Sequence, residues 1–327
     1  MKATAKANSN TALIKYWGKK NEELIIPMNN SISLTIDSLS TITTVEFSHD
    51  YLKDIFILNN EKQNGKALER VVKHLNMLRS IARINLKAKV VSKNNFPTAA
   101  GLASSASGFA ALTVAACKAL GLEKNPRELS ILSRQGSGSS ARSILGGYVE
   151  WLISDENNES SVIQLADKNW FDIRDIIVIF EKHERKISTR EAMKLSMETS
   201  PFFKTRLETI EENLAKVRQA IKEKNFSVLG KTAERDCLSM HSVAITSDPS
   251  MIFWTGDTIA IMNLVKSLRD GGLEAYFTID TGSNMHILTL PAYAEEIATL
   301  LRKIPYIKDI IVAKPGDGTI IIDEHLF

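Results

Sequence analysis

The stretch Phe96–Gly108, FPTAAGLASSASG, sets a proline, a glycine, several alanines and two adjacent serines directly ahead of the apolar run FAALTVAACKAL. The spacing of that run predicts a helix from Ser105 to Leu120, ended by Gly121. The first turn of a helix carries unpaired N–H groups and a partial positive charge, which together make an anion site. Gly101, Ala103, Ser104, Ser105 and Ala106 have no bulky side chain, so phosphate oxygens can approach this backbone closely. The serine hydroxyls add donors, or a ligand for Mg2+. The loop suits the phosphates of a nucleotide, although neither GxxxxGK[ST] nor GxGxxG occurs in it. The same residues also suit a tightly packed helix start with no ligand.

Outward from this loop, residues 31–47, SISLTIDSLSTITTVEF, alternate apolar and polar with many β-branched side chains; they predict a strand pair or a long bent strand. Further strands are predicted at DIFILNN, which a turn at Asn64-Gly65 follows, and at INLKAKVVSK, GGYVEWLI and DIIVIFEK. Residues 66–82 have helical periodicity, with Leu68, Val71, Val72, Leu75 and Leu78 on one face. Helices are predicted at 126–134, through most of 186–235, and at 255–270 and 292–303, with strands at EAYFTID, KDIIVAK and GTIIID. The N-terminal half mixes strands and helices and the C-terminal half is helix-rich. This is the pattern of an α+β protein with two lobes, 1–186 and 187–327.

Composition narrows the function. The 327 residues are 44% apolar and 24% charged, ordinary for a globular chain with a large core. A net charge of +3 gives no argument for a nucleic-acid partner. Cys117 and Cys237 are the only cysteines and have no metal-type spacing, which argues against a disulfide framework and a zinc site. Cys117 reads as a small core residue of the helix. The N-terminal MKATAKANSN has lysines but no apolar stretch behind them, unlike a secretory signal. No apolar run approaches the roughly 18 residues that span a bilayer. The expectation is a cytoplasmic protein with no membrane partner.

Three other patterns carry chemistry. KYWGK places Lys15, Tyr16 and Lys19 together, a group suited to a multiply charged anion or, equally, a solvated lysine cluster beside a packed Trp17. GSGSSARS is a hydroxyl-rich loop with one guanidinium, Arg142, which can grip a carboxylate by two parallel hydrogen bonds; as a plain glycine–serine turn it would put that arginine on the surface. TIDTGSN ends an apolar strand on Asp280, a placement found both in catalytic carboxylates and in turn-capping ones. The histidines form no metal-like pair, and His241 and His286 read as structural.

NNFPTAAGLASSASGFAAL, NTALIKYWGKK (10–20), IPMNNSISLT (26–35), GSGSSARSILGGYVEW (136–151) and YFTIDTGSN (276–284) together resemble, in the same order and over nearly the whole chain, the diphosphomevalonate decarboxylase family of the GHMP kinase superfamily. The resemblance implies a two-lobed GHMP kinase fold with the active-site cleft between the lobes, ATP and Mg2+, a phosphorylated mevalonate as substrate, and a homodimer. It implies Lys15 near the transferred phosphoryl group, Asn10 near the substrate carboxylate and hydroxyl, and Tyr16 and Lys19 at the 5-phosphate end. Arg142 is expected on the carboxylate lost as CO2, Ser137 and Ser139 on the substrate phosphate, and Asp280 on the C3 hydroxyl. Arg190, in KISTREAM (186–193), matches an arginine that some bacterial members offer to the diphosphate. The nucleotide set is Ser92, Asn95, Pro97, Gly101, Leu102, Ala103, Ser104 and Ser105, with Ser105 also the metal ligand.

The expected activity is ATP-dependent decarboxylation of mevalonate 5-diphosphate to isopentenyl diphosphate through phosphorylation of the 3-hydroxyl. Many members have alanine after the aspartate and proline two residues further; Thr281 and Ser283 stand there in this chain, as in archaeal-type phosphomevalonate decarboxylases, which act on the monophosphate. That substrate stays open at this point. So do a mevalonate 3-kinase, making ADP but no CO2, and a ligand-binding protein on the same fold.

Overall fold

A computed structural model describes residues 1–96, 104–154, 159–180 and 187–327. In chain order the elements are β1 (Lys2–Ile14), β2 (Lys19–Asn21), β3 (Ile26–Pro27), β4 (Ser31–Ser48), β5 (Ile55–Leu58), β6 (Glu61–Lys62), α1 (Gly65–Ala82), β7 (Lys87–Asn94), α2 (Ser104–Ala119) and α3 (Pro126–Arg134). A 3₁₀ helix, Gly138–Ser143, leads into β8 (Tyr148–Ser154), β9 (Glu159–Ala166) and β10 (Arg174–Phe180). Helices α4 (Thr189–Thr199), α5 (Phe203–Glu223), α6 (Phe226–Ile245) and α7 (Gly256–Asp270) precede β11 (Ala275–Ile279), β12 (Met285–Thr289), α8 (Pro291–Arg302), β13 (Ile307–Ala313) and β14 (Ile320–Ile322).

The stretch from Ser31 forms one strand of 18 residues, β4, and organises the first sheet. It pairs antiparallel with β1, β7 and β8, and the sheet runs β14-β1-β4-β7-β5-β6 with β9 beyond β8. The pattern reading does not find β1, because alanine and asparagine are poor strand formers. Tertiary context overrides that weak propensity: β1 has neighbours on both sides, and Ala3, Ala5 and Ala7 are buried in the same cluster as the alanines of α2. Small side chains on both elements let the helix lie close to the sheet. Two register shifts against β4, at Asn8/Asn10 and Ala12/Ile14, break the ladder just before the strand ends. Such bulges re-aim side chains, and they flank Asn10.

The second sheet is antiparallel, in the order β11-β12-β10-β13. A core cluster joins it to the first: Leu13, Ile32 and Leu34 pack with Ile177, Tyr276 and Leu288, and with Leu214, Val217 and Leu229 of α5 and α6. Each large apolar side chain fully buried this way contributes about 1.5–3 kcal/mol relative to leaving it exposed. The chain end returns to the first sheet, where β14 pairs with β1 at Thr4↔Ile322.

Helix α2 starts one residue before the sequence reading and ends at Ala119; Gly121, at φ +68, then closes it in the left-handed region that favours glycine. Cys117 is buried in its core face, as expected. On α1, Val71, Leu75 and Leu78 face the core, but Leu68 and Val72 are only half-buried; His74 and Arg79 complete the buried face instead. The segment around Arg142 is a buried 3₁₀ helix where a hydroxyl-rich loop is expected. No helix among the described residues is long and apolar enough to cross a membrane.

Candidate active site

One cavity of about 1110 Å³ is lined from both halves of the chain. Asn10, Lys15 and Asp280 reach it from the ends of β1 and β11, and Arg142 from the 3₁₀ helix. All four are side chains that the sequence reading assigns to the reacting end of a substrate. Tyr16, Lys19, Ser137, Ser139 and Arg190 line the same space, as do Ser104 and Ser105 at the start of α2.

Lys15 and Asp280 form an ion pair, Nζ to Oδ1 at 2.6 Å. Lys15 is 3% exposed, whereas a third of the Asp280 side chain faces the open cavity. Burial works to raise the Asp280 pKa, but the charges of Lys15, His286 and Arg142 and the Lys15 hydrogen bond outweigh it and hold the carboxyl below its usual range. Asp280 is therefore a carboxylate at neutral pH. It can accept a hydrogen bond from an alcohol but is a weak base.

Arg142 is not a surface arginine; only 3% of it is exposed. Its Nη1 donates to Ser31 Oγ at 2.7 Å and its Nη2 to Asn10 Oδ1 at 3.3 Å. Asn10 in turn donates from Nδ2 to Ser143 Oγ at 2.8 Å and to the Ser139 carbonyl at 3.2 Å. This network orients the guanidinium toward the cavity. Burial pulls the Arg142 pKa down to about 10, with Asp280 and Tyr16 opposing, and leaves a full cation at neutral pH.

The other polar end centres on Tyr16. Its hydroxyl is buried and has no hydrogen-bond partner among the described residues, while its ring packs edge-on to Trp151 at 4.9 Å. Burial first, and Glu22 second, raise its pKa well above the usual phenol value, so the group is a neutral donor. Lys19 pairs with Glu22. Burial lowers the Lys19 pKa although Glu22 works to raise it. Helix α4 starts on a capping box between Ser188 and Glu191, which places Arg190 in its first turn at the cavity. A buried hydroxyl left without a partner costs about 1–3 kcal/mol, and in a residue that lines the same cavity as Lys19 and Arg190 it is a donor suited to a phosphate ligand.

Between these ends, Ser105 Oγ lies 3.1 Å from Ser137 Oγ, so the start of α2 touches the 136–142 segment directly. Pro97, Gly101, Leu102 and Ala103 lie outside the described residues. Ser92 and Asn95 are not part of the cavity lining. Ser92 Oγ bonds Thr43 Oγ1 at 2.8 Å, and Asn95 exchanges hydrogen bonds with Ser38 and Ser40. Among the described residues no three His, Cys, Asp or Glu side chains could hold a metal ion by themselves. The donors present, serine hydroxyls at a helix start, fit a cation that takes most of its ligands from phosphate oxygens.

Sequence reasoning missed Lys66, Arg70 and Lys73, which line the cavity from α1. Their spacing puts them on one helix face, a cationic stripe legible beside the apolar one. It also missed Asp236 behind the ion pair, and it read His241 as structural without the contact that it makes there. Asp236 Oδ2 accepts from the Lys15 main-chain N–H at 2.7 Å, and His241 Nε2 donates to the Ile279 carbonyl at 3.2 Å. His286 is structural, as expected, with Nδ1 2.9 Å from Asp175 Oδ2.

Residues 7–163 match the description "Diphosphomevalonate decarboxylase-like N-terminal domain", and residues 175–318 match "Mevalonate 5-diphosphate decarboxylase C-terminal domain". Diphosphomevalonate decarboxylase mvd1 of Aspergillus fumigatus is 35% identical over 326 residues, covering 93% of this chain and 80% of its own length. Mevalonate diphosphate decarboxylase from Staphylococcus aureus superposes with a TM-score of 0.93 at 40% identity over 98% of each chain. A structure described as "MDDEF in complex with MVAPP, AMPPCP and Magnesium" gives a TM-score of 0.94 at 39% identity over 99% of each chain. With both halves matched and its α+β architecture shared from end to end, the chain belongs to the diphosphomevalonate decarboxylase family, on the GHMP kinase-type fold.

Proposed function

We propose that this protein uses ATP to decarboxylate mevalonate 5-diphosphate, releasing isopentenyl diphosphate, ADP, phosphate and CO2. The observation that carries the reading is the meeting of Asn10, Lys15, Arg142 and Asp280 in one cavity beside the first turn of α2. The relative bound to "MVAPP, AMPPCP and Magnesium" supports the same ligand classes here.

A tertiary hydroxyl is a poor leaving group, and phosphorylation makes it a good one. Asp280 accepts a hydrogen bond from the C3 hydroxyl and orients the hydroxyl oxygen toward the γ-phosphate; as the new O–P bond forms and the bond from the γ-phosphorus to the ADP oxygen breaks, the hydroxyl proton leaves late, through Asp280 to a phosphate oxygen. Lys15, held at 2.6 Å from Asp280, offsets the charge on the transferred phosphoryl group. Arg142 holds the C1 carboxylate while phosphate departs and positive charge develops at C3; the C–CO2 bond electrons then form the alkene. No carbanion forms, so no electron sink is required of the chain. Magnesium bound with the nucleotide would neutralise phosphate charge, with Ser105 the side chain we assign to it. Positioning and charge stabilisation supply most of the rate in such transfers.

Tyr16, Lys19 and Arg190, with Ser137 and Ser139, offer more donors than one phosphate needs, which favours the 5-diphosphate over the 5-phosphate. A homodimer is inferred from family likeness, and a cytoplasmic location from the composition of the sequence. The test is a coupled assay with ATP and either mevalonate 5-diphosphate or mevalonate 5-phosphate, following ADP and CO2 together. Equal release with the diphosphate is expected. Preference for the monophosphate replaces the substrate, ADP without CO2 makes the protein a 3-kinase, and neither product leaves a ligand-binding protein.

A further inference from the structure

β1 ends at Ile14, so the peptide of Lys15 leaves the sheet ladder while still buried. A buried main-chain N–H and C=O must find partners. Here they find side chains from two helices distant in sequence and from the connection between β3 and β4. Asp236 Oδ2 takes the N–H at 2.7 Å. Arg206 Nη2 donates to the C=O at 3.2 Å, and Asn29 Nδ2 donates to it at 3.0 Å. Arg206 and Asp236 are themselves an ion pair, Nη1 to Oδ1 at 3.0 Å, and Arg206 Nη1 also donates to the Asp236 carbonyl at 3.1 Å. Both are almost wholly buried, Arg206 at 3% and Asp236 at 0% exposed.

The same helix grips the other half of the reacting pair. Next to Asp236, Cys237 Sγ accepts from the Ile279 N–H at 3.1 Å, and one turn on His241 Nε2 donates to the Ile279 carbonyl. Ile279 immediately precedes Asp280. Helix α6 therefore holds the main chain at Lys15 and the main chain leading to Asp280 as one rigid element, although the two residues follow strands of different sheets.

A buried ion pair is weak evidence for stability, since apolar residues of similar volume often serve as well. It does supply direction. We propose that Asp236, braced by Arg206, is a positioning residue for phosphoryl transfer: it fixes the Lys15 main chain so that Nζ meets Asp280 at the reacting phosphate. This rests on the decarboxylase reading above. Misplacement by about 1 Å at a reacting centre can cost about 100-fold in rate, while ATP and mevalonate diphosphate are held mainly by other groups.

The test compares wild type, Asp236→Asn, Arg206→Lys and, as a control, Glu234→Gln. Glu234 is a buried acid on the same helix, paired with Arg269 and bonded to the Phe277 N–H, but it touches neither Lys15 nor Ile279. For each, kcat, both KM values and the thermal midpoint are measured. The expected result is a kcat lower by about 100-fold in Asp236→Asn and about 10-fold in Arg206→Lys, with both KM values within about threefold of wild type. Glu234→Gln should lose a comparable thermal midpoint and keep kcat within about twofold. If Asp236→Asn does not fold, Arg206→Lys decides. A kcat near wild type in a folded Asp236 or Arg206 variant overturns the proposal, as does an equal kcat loss in Glu234→Gln. Absence of ADP and CO2 from wild type would instead refute the decarboxylase reading.

Discussion

Lys15 Nζ lies 2.6 Å from Asp280 Oδ1, and the two side chains come from the ends of strands in different sheets, 265 residues apart. The pair is the junction at which the two halves of the chain make one site. Because the charge of Lys15 keeps Asp280 ionised, Asp280→Asn removes the negative charge that faces the substrate alcohol and puts an amide donor in place of one carboxylate oxygen, without removing the nucleotide's contacts. Turnover should fall by about 10³-fold or more, and titration calorimetry should still show nucleotide binding. ADP and CO2 release near the wild-type rate would remove Asp280 from the role assigned here.

Arg142 offers a planar fork that lysine cannot copy. Arg142→Lys keeps the charge but loses the parallel hydrogen bonds and the contacts to Asn10 and Ser31. The expected outcome is a fall of about 100-fold in kcat/KM for the mevalonate substrate, with the KM for ATP little changed. Steady-state kinetics with each substrate varied in turn checks it; an unaltered kcat/KM would mean that the carboxylate is held elsewhere.

The unpartnered Tyr16 hydroxyl makes a sharper distinction between stability and binding. Tyr16→Phe removes a buried group that no side chain among the described residues satisfies, so the unfolding free energy should change by less than about 1 kcal/mol, or rise. The KM for the phosphorylated substrate should increase about tenfold. Denaturant melts beside kinetics test both halves. A large loss of stability would show that the hydroxyl is satisfied within the protein.

Gly138 is a steric prediction. A Cβ built there would sit 2.7 Å from Tyr16 Cε1 and 3.1 Å from Trp151 Cη2. Gly138→Ala must push the Tyr16 ring aside, costing about 1–3 kcal/mol of stability and raising the KM for the phosphorylated substrate more than the KM for ATP. Normal affinity in this variant would count against Tyr16 as a substrate contact.

His286 yields a pH dependence with a defined sign. Burial opposes its charge, but Asp175 at 2.9 Å, with Asp280, outweighs burial and holds the ring pKa above the ordinary 6.5. A folded-state value above the unfolded one adds stability that is fully present below about pH 6.5 and fades as pH rises through the folded value. His286→Gln should therefore lose more stability relative to wild type at pH 6 than at pH 9. Urea melts at the two pH values check this, and equal losses would mean that the ring is neutral in the fold.

Local order explains which parts were readable in advance. The apolar run of α2, the glycine that closes that helix and the β-branched run of β4 act over a few neighbours, so they are written in adjacent residues. The family motifs likewise carried Asn10, Lys15, Arg142 and Asp280 into view. The alanine- and asparagine-rich β1 had no such signal; only its place between β4 and β14 makes it a strand. The stripe of Lys66, Arg70 and Lys73 had helical spacing but no pattern to say that it faces a cavity.

Residue types alone thus specified which groups were available for phosphate, carboxylate and hydroxyl. Burial and direction came from folding. That Arg142 is inside, that the Tyr16 hydroxyl has no partner among the described residues, and that Asp236 and His241 reach from one helix to Lys15 and Ile279 all depend on residues tens to hundreds of positions apart. Hydrogen bonds and desolvation act through distances of a few ångströms, and only the closed chain sets those distances.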